Sequence, residues 1–279
     1  MRLKTHRSVR SALTLLPPPD IIKMQDKVPI FDFLSEGIYN EIDMVGEIKT
    51  LLKKDTVLNE FEASKILRAY GVPFPPTFVA RSAEEARAVA QKLVPPLVMK
   101  VLSRDIPHKA HVGGVVFGVT PETAASAYQK IVERVQSACP KAQIQGILLQ
   151  EQQEGGVEVI IGAFKDQQFG HVVMFGLGGV FAELLKDVTF RVVPLSEKDA
   201  QEMIQETKAA SLLSGLRGQP SADLQALCSI LVNVSRLVND YPEISELDIN
   251  PVLVTPKGPF AVDALIRVTS SQEVKSIYL

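Results

Sequence analysis

The sequence predicts an α/β (α+β) protein built of packed sheet and helix layers, on three observations. Strand-length apolar runs alternate with helix-length amphipathic segments from residue 59 to residue 262. Several strand candidates follow one another across short turns, which favours hairpins over a simple βαβ repeat. The chain has 279 residues and is 46% hydrophobic, enough to bury one large core or two compact ones. No internal repeat is visible.

Residues 1–40 lack sustained periodicity and read as a tail or linker, and Ile42–Leu52 reads as a short amphipathic helix. Asn59 followed by Glu62 makes a capping-box start; Phe61, Ile66, Leu67 and Tyr70 share a face, and Gly71 ends that helix. Pro73, Pro75 and Pro76 force an extended passage into a strand at Thr77–Ala80. Ser82 with Glu85 caps a helix that runs to about Leu93. Strands follow at Leu97–Val101 and Val115–Val119, and Pro121 opens a helix to Ala138. Gly146–Glu151, Gly156–Phe164 and His171–Gly176 are the next strands. Helices at Glu197–Glu206 and Ala222–Asp240 precede the last strands, around Glu246–Ile249, Val252–Val254 and Phe260–Val262.

The bulk numbers exclude more than they identify. The 30 basic and 32 acidic residues nearly cancel, so no nucleic acid or anionic membrane is expected as a partner. Cys139 and Cys228 lie far apart with no CxxC spacing, which fits a reducing compartment. No apolar run reaches the roughly 18 residues of a membrane span. The expected location is cytoplasmic. Arg2, Lys4, Arg7 and Arg10, with no acid before Asp20, leave an organelle transit segment as the alternative to a basic arm.

Chemistry concentrates in VMKVLSRDIPHKAHVGG at Val98–Gly114, ELDINP at Glu246–Pro251 and VDA at Val262–Ala264. Lys100 sits mid-strand, where burial is costly unless an anion pairs with it; an edge-strand lysine that snorkels is the alternative. Gly113 and Gly114 could bring backbone amides close to phosphate, although most such pairs are turns. His108 stands among polar and turn residues beside Lys109, with Arg104 nearby, as an accessible phosphate carrier would. His111 is a second candidate with nothing in its surroundings to favour it. Phe175–Val180 is a glycine-rich strand exit without the dinucleotide spacing, and the string continues through Glu183, Asp187 and Arg191. Alternation puts Asp248 and Asn250 on one side of a strand, and Asp263 lies where a hairpin can return beside them. Such oxygens suit Mg²⁺, which completes its shell with water and nucleotide phosphate; a polar strand end is the plain alternative.

From about Leu58 to Val268 these residues resemble a known family. The matching stretches are ASKILRAYGVPFP, VMKV, the HK-x-x-x-GGV loop, EVIIG, the run from Asp166 to Leu195, LRGQP, ELDINP and VDA. Together they resemble the ATP-grasp β subunit of ADP-forming acetyl-CoA synthetase. They are also similar to the fused NDP-forming acyl-CoA synthetases and, more distantly, to succinyl-CoA synthetase β. The resemblance implies an ATP-grasp fold with two α/β lobes enclosing a nucleotide, about 58–149 and 150–268. Residues 1–57 would be an arm or linker with a short helix, and 269–279 a tail. It implies that Lys100 contacts nucleotide phosphates, with Lys109, Gly113, Gly114 and Arg191 in the same pocket. Gln150 and Glu151 would lie at the hinge near adenine, and Glu158 would line the pocket. Asn250 and Asp263 match magnesium ligands, His108 the histidine that receives a relayed phosphoryl group, and Asp248 the acid that steadies it.

The implied reaction interconverts acyl-CoA, ADP and phosphate with carboxylic acid, ATP and CoA. A CoA-binding α subunit is the implied partner, in an α2β2 assembly, with Mg²⁺ and ATP or ADP bound by this chain. The family loop usually carries Asp where His111 stands and Pro where Arg104 stands. Two competing functions are a nucleotide-binding regulatory module, like that attached to some protein acetyltransferases, and an ATP-dependent carboxylate–amine ligase. The first would not need His108, Asp248, Asn250 and Asp263 together, and the second needs no relay histidine.

Overall fold

The computed structural model describes residues 41–52, 55–106, 108–179, 187–215 and 222–269. The arm over 1–40, Glu183, the LRGQP stretch and the tail beyond residue 269 lie outside the described residues. Residues from Val45 onward form one compact unit. In chain order the elements begin α1 (Glu41–Leu51), β1 (Thr56–Leu58), α2 (Glu60–Ala69), β2 (Thr77–Ala80), α3 (Ala83–Ala90) and β3 (Leu97–Leu102). A 3₁₀ turn at Lys109–Val112 leads to β4 (Val115–Val119), α4 (Ala124–Ala138), β5 (Gly146–Glu151), β6 (Val157–Asp166) and β7 (Gly170–Leu177). Then come β8 (Val188–Val192), α5 (Glu197–Gln205), α6 (Ala209–Leu213), α7 (Leu224–Asp240), β9 (Ile244–Thr255), β10 (Gly258–Ala261) and β11 (Ala264–Val268).

Two antiparallel sheets carry the fold. The smaller is four-stranded, in the order β2-β5-β3-β4. Its helix-covered face buries Leu97, Met99 and Val101 of β3 with Ile147 and Leu149 of β5 against α3 and α4, where Ala86, Ala90, Ile131 and Val135 are closed to solvent. The two-residue period of a strand then turns Lys100 of β3 and Gln150 of β5 to the opposite face. The larger sheet is seven-stranded, in the order β1-β11-β9-β6-β7-β8, with β10 also on β9. Helices α5 and α7 pack on it, α7 with Leu227, Leu231, Val234 and Val238 fully buried. Among the described residues no helix is long and apolar enough to cross a membrane.

The expected helix starts hold where caps were readable. The Asn59 side chain accepts from the Glu62 amide at 2.9 Å, and Glu62 accepts from the Asn59 amide at 3.0 Å. Ser82 accepts from the Glu85 amide at 3.1 Å. One start differs: α4 begins at Ala124 rather than Pro121, because the Thr120 carbonyl receives the amides of Thr123 and Ala124 in a separate turn. The two strands expected around Glu246–Ile249 and Val252–Val254 are one strand, β9, which passes through Pro251. The four-stranded sheet runs to Glu151, and β1 joins the larger sheet by pairing with β11.

At Asn250 and Pro251 the ladder of β9 is broken on both sides. Towards β6, Ile249 pairs with Ile161 and Val252 with Val159, so two residues oppose the single Ile160 in a bulge. Towards the other side, β11 ends opposite Ile249 and β10 opposite Val252. Val262 and Asp263 bridge that gap: the Asn250 amide donates to the Asp263 carbonyl at 3.3 Å, and the Val262 amide to the Pro251 carbonyl at 3.1 Å. Pro251 has no amide hydrogen to give, and here none is required.

Candidate active site

The break in β9 is where the two sheets meet through charge. Lys100, 7% exposed, reaches from the smaller sheet towards the β10–β11 turn. Its ammonium donates to Glu60 Oε1 at 2.7 Å, to Gln150 Oε1 at 3.2 Å and, in a short contact, to the Val262 carbonyl. These acceptors use all three of its protons. Gln150 is held in turn, donating through Nε2 to Thr77 Oγ1 at 3.1 Å.

Lys109, the first residue of the 3₁₀ turn, spans the same junction. Its Nζ lies 2.8 and 2.7 Å from the two oxygens of Asp263 and 3.2 Å from Glu60 Oε2. Asp263 Oδ1 also accepts from the Ala264 amide at 2.8 Å. Glu60 therefore stands between two lysines, and Lys109 between two carboxylates.

Burial and charge act in opposite senses on these groups. Burial pushes the Glu60 carboxyl above its ordinary value, Asp263 adds to the rise, and Lys100 and Lys109 oppose it. Burial also acts to raise Asp263, but the ammonium groups of Lys109 and Lys100 outweigh it and hold that carboxyl below its ordinary value. For Lys109 burial works against the charge, and the carboxylates of Glu60 and Asp263 prevail to raise it.

The relay candidate lies at the rim. His108 is exposed and immediately precedes Lys109, so the charge cluster anchors the residue next to it. The rings of His108 and His111 lie 5.7 Å apart, centroid to centroid, and both histidines are exposed. Residues three apart eclipse in a 3₁₀ turn, which puts the rings in register. The turn closes on Gly113, at φ +68°. The amides of Gly113 and Gly114 donate to the Ala110 and Lys109 carbonyls at 3.1 and 2.8 Å. Both glycines thus build the loop, and their amides are engaged within it rather than presented to a phosphate.

The remaining candidates are placed less uniformly. Asp248 lies on β9 two residues before Asn250, and Asn250 is exposed at the bulge. Glu151 ends β5, with Oε1 accepting from the Val94 amide at 2.9 Å. Glu158 of β6 is exposed beside the glycine turn that follows β7: its Oε2 lies 2.0 Å from where a Cβ on Gly179 would sit. The exposed carboxylate could swing aside, and what favours glycine at 179 is its backbone, at φ +63°. Arg191 stands apart from the Lys100–Lys109 cluster. Register aligns Asp248, Gly162, Met174 and Phe190 across the sheet, so Arg191, one residue on, faces the opposite side. There it pairs with Glu206 at the end of α5, whose hydrogen bond raises the guanidinium's proton affinity.

Glu60 was not among the expected residues. It is the first residue of α2, where an acid ordinarily signals only a helix start. For Mg²⁺, Asp263 supplies an ionised carboxylate and Asn250 an amide oxygen, both hard donors on adjoining backbone. The Lys109 ammonium lies against both oxygens of Asp263 and stands where a divalent cation would be drawn. Among the described residues no cluster of three or more His, Cys, Asp or Glu side chains could hold a metal. The two oxygen donors fit Mg²⁺ on the terms that phosphates and water complete its shell.

Three comparisons place the chain among known proteins. A family model for the ATP-grasp domain matches residues 49–268. The chain is 43% identical over 222 residues to the acetate–CoA ligase [ADP-forming] II subunit beta of Pyrococcus furiosus, covering 79% of this chain and 94% of that one. It is 41% identical over 227 residues to acetate–CoA ligase [ADP-forming] I of Archaeoglobus fulgidus, covering 81% of this chain but 33% of that protein. The chain thus spans about a third of one relative and nearly all of the other. Among solved structures it matches the dinucleotide forming acetyl-coenzyme A synthetase 1 of Ca. Korarchaeum cryptofilum in complex with coenzyme A, Ca-AMPCP and HgCl+. The TM-score is 0.76 at 43% identity, covering 82% of this chain and 100% of that one. A second structure of that protein holds coenzyme A and Mg-AMPPCP, with a phosphohistidine segment pointing towards the nucleotide binding site. It matches with TM-score 0.68 at 40% identity, over 81% of this chain and 98% of that one.

Proposed function

The chain belongs to the ATP-grasp family, within the ADP-forming acetate–CoA ligases, and from that premise we propose that it is the nucleotide-binding β subunit of an ADP-forming acyl-CoA synthetase. Its reaction interconverts acyl-CoA, ADP and phosphate with carboxylic acid, ATP and CoA. The observation that carries this reading is the Lys100–Glu60–Lys109–Asp263 cluster, which ties the two sheets together and holds an exposed His108 at its edge.

In the direction of ATP formation, His108 delivers a phosphoryl group to ADP. The N–P bond to the imidazole breaks, a P–O bond forms to the terminal phosphate oxygen of ADP, and the ring nitrogen recovers its lone pair. Lys100 and Lys109 draw the phosphates by charge, with Lys100 exchanging one of its three acceptors for a phosphate oxygen, and Gln150 orients the side chain of Lys100. Asp263 and Asn250 would hold Mg²⁺, which supplies charge neutralisation to the transferring group. Asp248 steadies the imidazole from β9. Phosphoryl transfer needs placement and charge more than covalent chemistry from the protein, which is what such an ion-pair cluster offers. The CoA chemistry belongs to an α subunit, in an α2β2 assembly, and the location is cytoplasmic.

The test is covalent. Incubated with γ-labelled ATP and Mg²⁺, the chain should acquire an acid-labile, base-stable phosphoryl group on His108. His108→Ala should abolish the label and leave nucleotide binding within about twofold, the small effect expected of an exposed side chain outside the ion-pair cluster. A label that maps to His111, or persists in His108→Ala, removes His108 from the relay.

A further inference from the structure

Glu60 has a geometry that helix capping does not require. It is 4% exposed, and its two oxygens point at lysines from two different elements, Lys100 on β3 at 2.7 Å and Lys109 in the 3₁₀ turn at 3.2 Å. The contact to Lys109 is one of charge, since Oε2 receives no aligned hydrogen bond. Of the lysines' other partners, Gln150 lies on β5 in the same sheet as Lys100, while the Val262 carbonyl and Asp263 lie on the far side of the junction. Among the described residues Glu60 is thus the carboxylate within ion-pair distance of both lysines, while Asp263 pairs with Lys109 alone.

We propose that Glu60 is a positioning residue that makes this site select a nucleoside diphosphate carrying its Mg²⁺ over the metal-free form, an inference that rests on the nucleotide-site reading above. With Glu60 ionised, two ammonium groups face two carboxylates and the cluster is balanced. A metal-free diphosphate brings a large negative charge into contact with that balanced set, and Glu60 and Asp263 both repel it. The magnesium complex brings less net negative charge and a cation for Asp263 to receive, which frees Lys109 for phosphate. Glu60 remains behind the lysines in either case. It touches no reacting atom; it sets how much positive charge the lysines have left to offer and fixes where they point.

Removing that carboxylate should favour the wrong ligand. In Glu60→Gln, which keeps the shape, the lysines present an uncompensated charge, and metal-free ADP should bind more tightly. Equilibrium binding of ADP to the full chain, measured by calorimetry with excess Mg²⁺ and again with a chelator, gives the ratio of the two Kd values. We expect Glu60→Gln to reduce this preference for the magnesium complex by about tenfold, the scale of one charge acting from about 12 Å, behind the lysines, at an effective dielectric of about 20. Glu60→Asp, which keeps the charge, should retain most of the preference. Lys109→Gln moves the charge the other way and should widen the preference, which provides the test even if Glu60→Gln does not fold.

Equal weakening of both forms in Glu60→Gln would reduce Glu60 to a structural support and overturn the inference while the nucleotide-site reading stands. A shift in the same direction for Glu60→Gln and Lys109→Gln, or no shift in either, would overturn it as well. Failure of the native chain to bind either form would remove the nucleotide-site reading and the inference with it.

Discussion

Asp263 and Asn250 are expected to hold the same ion, yet they depend on their surroundings very differently. Asn250 is exposed at the bulge, so Asn250→Ala removes an oxygen donor and little else. We expect the Mg²⁺ concentration for half-maximal turnover to rise about ten- to a hundredfold, the range seen when a metal's ligand environment is weakened. The melting temperature should not change. Asp263 carries the ammonium of Lys109 on both oxygens, so Asp263→Ala should show the same metal effect together with lost stability. Removing one partner of a fully buried pair costs 3–5 kcal/mol; with 34% of the Asp263 side chain exposed, about 1–3 kcal/mol is the appropriate scale. Mg²⁺ titrations and melting curves of both variants check this, and unchanged Mg²⁺ dependence in both would exclude them as ligands. Lys100 was legible in the sequence because a lysine in an apolar strand demands an anion. The identity of that anion was not, because Glu60 beside Glu62 looks like ordinary first-turn acid and only the tertiary fold brings two lysines onto it. The distance of Arg191 from the cluster was hidden for a related reason: a linear string of charges conceals that successive strand residues face opposite sides.

Among elements, the 3₁₀ turn and its two glycines govern where His108 and Lys109 sit. Gly113 is required by conformation, at φ +68°, and Gly114 by space. A Cβ on Gly114 would lie 2.6 Å from Val101 Cγ1 and 2.9 Å from the Lys109 carbonyl. The valine is packed in the core and the carbonyl is backbone, so neither yields easily. Gly114→Ala should therefore push the turn away from β3, at a cost of about 1–3 kcal/mol for overpacking. Because the Lys109 backbone moves with it, phosphorylation of His108 should slow by more than about tenfold, since misplacement by an ångström is costly in group transfer. Denaturant melts and the labelling rate test the two effects separately, and a native labelling rate would show that the loop tolerates the methyl group. Most strands and helices could be read from period and caps: β3, β4 and β5 are apolar runs, and α2, α3 and α5 open on Asn59, Ser82 and Ser196. The strands that escaped were β1, β8 and β11. β1 has three residues, β8 carries Arg191 with exposed Phe190 and Val192, and β11 follows Asp263 without a turn signal. The gap between β10 and β11 was hidden because it exists only opposite the bulge in β9, a relation between strands rather than a property of either.

For the molecule as a whole, the limiting question is which part of the reaction this chain can perform. Every strand pairing among its described residues is antiparallel. A doubly wound nucleotide fold of the kind expected to bind CoA requires parallel strands joined by crossover helices. The described residues instead match an ATP-grasp domain, and the relative that this chain nearly spans is itself named as a β subunit. On the proposed reading, phosphoryl exchange between His108 and nucleotide would draw on the groups assembled around Lys100, Lys109 and Asp263. Acyl-CoA formation is expected to need a CoA-binding domain beyond the described residues. Two activities should accordingly separate. The chain alone, with Mg²⁺, should exchange label between ADP and ATP, because a phosphoryl group can pass to His108 and back. It should form no acyl-CoA until a co-purifying CoA-binding chain is added, and light scattering of the mixture should then give the mass of two copies of each. Acyl-CoA synthesis by the chain alone would refute the division of labour. Exchange that appears only with the partner would instead show that the partner completes the nucleotide site, and His108→Ala should abolish exchange in either setting.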